Sequence, residues 1–144
     1  MADGVFNIAK GALVEKIRDA STNILVLLLQ ANEAEATLVD HAALDTLLAS
    51  NTEADFTNYS RKTGITGTIT VDNTNDRVDV DIPDQTWAAA GGAVNNSLTK
   101  LIVAYEESAS DAGRVPLTHH DFVITTDGSD ITAQVNASGF ARVT

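Results

Sequence analysis

Residues Asp72 to Trp87 read DNTNDRVDVDIPDQTW and hold five aspartates. Carboxylates at such short spacing suit two chemistries, ligation of a hard cation and paired acid/base work. Asp72-x-Thr74-x-Asp76 opens like a calcium-binding loop. Arg77 then stands where that loop needs glycine, and Pro83 where it needs a bidentate glutamate. A solvated turn explains the segment better, with an irregular calcium site at Asp72–Asp76 as the alternative. Asp79 and Asp81 are two residues apart, so a strand would present both on one face, roughly 6–7 Å apart at the backbone. Val78, Val80 and Ile82 alternate with them and require the buried face, so alternation accounts for both aspartates without catalysis. Arg77 shares the aspartate side and offsets part of their repulsion. The face reads as wet, and as a candidate docking surface.

Other reactive side chains form no constellation. His119 and His120 are adjacent, so an extended chain points them to opposite faces, and His41 is remote in sequence. The chain has no cysteine, which excludes disulfides, thiolate catalysis and thiolate metal sites. No G-x-S-x-G elbow occurs, and Gly64, Gly67 and Gly91-Gly92 do not make a phosphate-binding fingerprint. No catalytic residue, cofactor or metal is expected. Trp87, the only tryptophan, is either a core plug or an interface anchor.

Elements must position these residues. At 144 residues the chain has the length of one domain, and 44% hydrophobic against 20% charged residues is a globular composition. Aromatics at 5% leave the core to Val, Ile, Leu and Ala. A net charge of −11 repels phosphate backbones, so nucleic acid is not an expected partner. The longest apolar run, Ile24 to Leu29, is six residues against the roughly 20 that span a bilayer, so no membrane is expected either. The opening MADGVFNIAKG is acidic first, and no secretory signal peptide is expected.

Helical spacing of Phe6, Ala9, Leu13 and Ile17 predicts a helix over 5–18, preceded by a mobile N-terminal arm over about 1–6. Asn23–Gln30 reads as a strand covered on both faces, with a buried helix as the alternative. A second helix is predicted within 37–50, with Asp40 as its N-cap. Two strands, 65–71 and 77–82, are joined by the turn formers Asp72–Asp76 and stopped by Pro83. A small-residue connector, 88–93, leads to a strand over 98–105 and an acidic loop over 106–113. Asp127-Gly128 predicts a hairpin between 121–126 and 129–136. The fold class is α+β and strand-rich: a mainly antiparallel sheet, or a small barrel or sandwich, with one or two helices in the N-terminal third.

FNIAKG (Phe6 to Gly11), TNDRVDVDIPDQTW (Thr74 to Trp87), LIVAYEE (Leu101 to Glu107) and the segment from Val115 to Val143 resemble small virion proteins of tailed, siphovirus-like bacteriophages. Within that group the chain is most similar to head decoration or cement proteins. The resemblance implies a non-enzymatic protein that binds the outside of the capsid and bridges major capsid subunits. It implies a homotrimer at or near local three-fold axes, made in host cytoplasm and located on the capsid exterior. The alternative within the virion is a minor head–tail or tail component. A host-surface or carbohydrate-binding module is a third reading, against which one Trp and two Tyr count. Phe6, Asp79, Asp81 and Trp87 are the candidate interface residues.

Overall fold

The computed structural model describes residues 3–9, 18 and 22–144. In chain order its elements are β1 (Gly4–Val5), a 3-10 turn (Asn7–Ala9), β2 (Ile24–Ala31), α1 (Glu35–Leu38), α2 (Leu44–Ser50), β3 (Thr52–Glu53), β4 (Lys62–Ile65), β5 (Thr68–Asp72), β6 (Arg77–Asp81), β7 (Gln85–Trp87), β8 (Lys100–Glu106), a second 3-10 turn (Asp111–Gly113), β9 (Arg114–Asp121), β10 (Ile131–Ala133) and β11 (Ala141–Val143). Every strand pairing is antiparallel, and the class is α+β with two helices and no closed barrel among the described residues. No helix there is long and apolar enough to cross a membrane.

The two most apolar strands form the centre. β2 and β8 are buried at their first six positions and run side by side from Ile24 opposite Tyr105 to Leu29 opposite Lys100. They sit in a sheet ordered β1-β9-β8-β2-β3, with β4 also on β2. Such unbroken apolar runs arise because both faces of the sheet are covered. Alternation puts Leu25, Leu27, Leu29, Lys100, Ile102 and His119 on one face, where Glu35 of α1 reaches Lys100 and Phe6 meets the His119 ring. Val26, Leu101 and Val103 occupy the other face, opposite Ile82 and Gln85 of the smaller sheets. Those are a three-stranded sheet, β11-β6-β5, and the pair β10-β7.

Several predicted elements are corrected. Gly4–Val5 pairs with β9, and the next residues form a 3-10 turn, so a helix does not begin at residue 5. Positions 10–17 of that predicted helix lie outside the described residues, as do Met1, Ala2 and positions 19–21. The predicted mobile arm is tied down from Gly4 to Phe6: the Phe6 amide donates to the Leu117 carbonyl at 3.0 Å and its ring is fully buried. Apolar side chains beside a sheet edge gain more from joining it than from reaching into water. Asp40 lies between the two helices, accepting a 2.7 Å hydrogen bond from Asn7 Nδ2, while α2 starts after Ala43 without a side-chain cap.

The Asp127-Gly128 hairpin is the clearest local signal, and the strands around it part company. The turn itself forms, with the Asp127 carboxylate accepting from the Ser129 amide and hydroxyl. Residues 122–126 bond instead to 96–99, and β10 pairs with β7, Ile131 opposite Trp87. Each half pairs with a segment remote in sequence, so tertiary context overrides the local turn signal. β9 is a further surprise, because it carries Pro116. The proline sits at a bulge beside Ala104, where the ladder skips a residue and needs no donor.

Candidate interface at the uncovered end of the three-stranded sheet

The Asp72–Trp87 segment builds the three-stranded sheet and its turn. β5 and β6 pair without a bulge from Thr68 opposite Asp81 to Asp72 opposite Arg77, and β11 adds to the other edge of β6. Gly139 makes that addition possible. Its φ is +85°, and a Cβ there would collide with the Val80 carbonyl.

Each candidate carboxylate is already engaged. Asp72 accepts from the Thr74 and Asn75 amides at 3.1 Å and from Asn75 Nδ2 at 2.7 Å, so it folds the turn. The Asn75 side chain, foremost, keeps its carboxyl below the ordinary range. Asp79 lies 2.7 Å from Arg142 Nε and 3.1 Å from Arg77 Nε. Asp81 accepts from the Ile82 amide at 2.9 Å. The two aspartates are therefore an ion-paired face and a strand-end cap, and not a shared acid/base pair. Among the described residues no three His, Asp or Glu side chains group as metal ligands.

The reverse face of this sheet is apolar in two rows. Ile69, Val80 and Ala141 face the core, with Val80 fully buried. One step further out, Val71, Val78 and Val143 stand in register across the three strands. Val71 is 60% and Val143 44% exposed, so the core face continues past the body that covers it. The outer edge of β5 pairs with no strand among the described residues.

The other interface candidates lie inside. Phe6 is fully buried, and Trp87 is 1% exposed with its Nε1 donating to the Ser60 carbonyl at 2.9 Å. Neither offers surface to a partner, so truncating Trp87 is expected to act on melting. Lys62 lies over the Trp87 ring at 5.3 Å.

Two charge clusters were not foreseen. Lys100 is fully buried, with Nζ paired to Glu35 and, at 2.5 Å, to Asp121. Burial pulls its pKa down, and the hydrogen bonds Nζ donates to Asp121 and Glu35 outweigh that, leaving it raised. His119 lies on the same face, buried, with Nδ1 unpartnered. Burial first, and the Lys100 cation second, lower its pKa. His120 points the opposite way, toward Thr118 Oγ1 at 3.0 Å, as adjacency in a strand requires. In the second cluster Arg61 bridges Glu53 and Asp111, while Arg114 bridges Asp111 and Glu106. The Arg61 hydrogen bonds, foremost, hold the Asp111 carboxyl down at about 2. A lysine opening the run KLIVAY was the one legible signal, since strand alternation puts it on the Ile102 face.

A cleft of about 270 Å³ separates the large sheet from the smaller ones, floored by Val26, Leu101 and Val103 and rimmed by Asp3 and His120. At its rim the Asp121 amide donates to Asp3, and Asp3 lies 3.4 Å from His120 Nδ1. Comparison with family models, with curated proteins and with solved structures finds no match for this chain.

Proposed function

We propose that this chain is a non-enzymatic structural protein of a bacteriophage virion, which decorates and stabilises the outside of the capsid by binding major capsid subunits. One observation carries the reading: the valine row Val71–Val78–Val143, with Val71 and Val143 exposed at the end of a hairpin whose turn and polar face are fixed by their own hydrogen bonds and ion pairs. A rigid apolar patch on a soluble chain is a contact surface. Three valines are too few for a stable pairwise interface, which buries about 800 Å² per partner. On a repeating lattice such patches act together, and avidity supplies what one contact lacks. The sequence resemblance to head decoration proteins supplies the partner, and the net charge of −11 suits a surface turned away from packaged DNA.

The test is co-sedimentation with expanded empty capsids of the same virus. Stoichiometric binding is expected, and it should fall sharply in Val71→Asp and Val143→Asp chains that still melt like the parent. Absence of binding overturns the proposal and moves the reading to a minor head–tail or tail component.

A further inference from the structure

We infer that two copies of this chain join edge to edge through β5, in a two-fold antiparallel pairing centred on Thr70. The argument begins with what protects an edge strand. Exposed edges are normally blunted by lysine, proline, a bulge or brevity. β5 reads Thr68-Ile-Thr-Val-Asp72: five residues without lysine or proline, in unbroken register with β6, and its one substantial neighbour among the described elements is β6. Threonine, isoleucine and valine are strong strand formers, so the edge is also stiff and ready to pair.

Self-pairing about Thr70 is complementary at every position. Thr70 faces its own copy, Ile69 faces Val71 on the apolar side, and Thr68 faces Asp72 on the polar side. The single charge of each strand thus meets a threonine rather than another aspartate. Slipping by one residue sets threonine against valine and turns the apolar face over, so the register is specified. Apolar faces then point the same way, and both cores lie on one side of the joined sheet. The uncovered Val71 end of each copy adjoins the Ile69 row of the other, which is the covered end. This arrangement closes on itself with two-fold symmetry. It is distinct from the three-fold assembly the resemblance implies and does not depend on capsid binding.

A five-residue strand pair is a small interface, so the dimer should be weak and concentration-dependent. Each copy carries −11, so the dimer should strengthen as salt screens that repulsion. Because the chain has no cysteine, Thr70→Cys gives a clean report. The pairing sets the two thiols directly opposite, and mild oxidation should cross-link them at least about tenfold faster than in Val123→Cys, given their high effective concentration. Val123 is 75% exposed and far from the dyad in sequence, which makes it the collision control. In sedimentation equilibrium the parent's mass should rise from 15.1 kDa toward that of a dimer with concentration. Thr70→Lys, which opposes two cations across the dyad, should abolish the rise. Equal cross-linking at 70 and 123, a parent that stays monomeric at all concentrations, or a trimer indifferent to Thr70→Lys would each overturn the inference. Should the lysine variant fail to fold, the cysteine comparison decides alone.

Discussion

In the large sheet a cation at a strand's start, Lys100, is wholly enclosed and held by carboxylates from α1 and β9. In the three-stranded sheet, Arg77, Asp79 and Arg142 pair along a face that water still reaches. The first sheet is covered on both faces at its centre, so the full charge of Lys100 is paired where it stands. The second is covered over one row of one face, so its arginines keep part of their contact with water and its outer valines stay bare. The same antiparallel hydrogen bonding thus serves two ends. Where packing is complete, the sheet specifies the fold. Where packing stops, it leaves apolar side chains bare.

Substitutions can break this contrast, and Lys100→Ala should do most. Removing the fully buried side chain empties core space and leaves the partly exposed Glu35 and Asp121 repelling each other, and a large-to-small change of this kind costs about 2–5 kcal/mol. Urea unfolding would show it as a lowered midpoint. Gly4→Ala comes next, because a Cβ there would collide with the His119 ring. A loss of about 1–3 kcal/mol is expected, as for other overpacked sites. His119→Ala in the same chain should recover part of it, and full additivity of the two losses would argue against the clash.

Acidity probes the covered sheet more gently. In the fold, burial and Lys100 hold the His119 pKa below the ordinary 6.5, with Glu35 and Asp3 opposing and His120 adding to the effect. The unfolded chain therefore binds more protons just below that value. Stability is complete above pH 6.5 and is lost as the pH falls from there toward the lower folded pKa. His119→Phe should remove this slope from urea melts between about pH 7.5 and about pH 5. The smallest effects belong to the three-stranded sheet. Asp79→Asn should cost no more than about 1 kcal/mol, because its ion pairs are near solvent. Val71→Thr should change stability by about 0.5 kcal/mol or less while weakening any contact made through that end.

Much of the molecule was legible from residue order. The ILVLLL run, bounded by polar residues, favoured a doubly covered strand over a buried helix, and it is β2. Alternation in RVDVDI placed Val80 inside and Asp79 outside, and Arg77 beside Asp79 as a neutralising partner. These are local facts, set by the two-residue period of a strand and by turn chemistry. Arg142 as the second partner of Asp79 was not legible, since it arrives from 63 residues away.

What tertiary structure alone decided follows from the same distinction. It seated Trp87 and Phe6 in the core rather than at an interface, it bound the residue-121 side of the Asp127-Gly128 turn to residues 96–99, and it paired Lys100 with Glu35 across 65 residues. Periodicity tells a side chain which way to face, but not whether anything will stand opposite. Only the packed chain determines that, because burial is a property of neighbours brought together over long sequence distances. The sequence by itself determined an acidic, cysteine-free, strand-rich domain with an alternating aspartate strand. The fold decided that this strand's apolar face runs on beyond the core, leaving Val71 and Val143 uncovered.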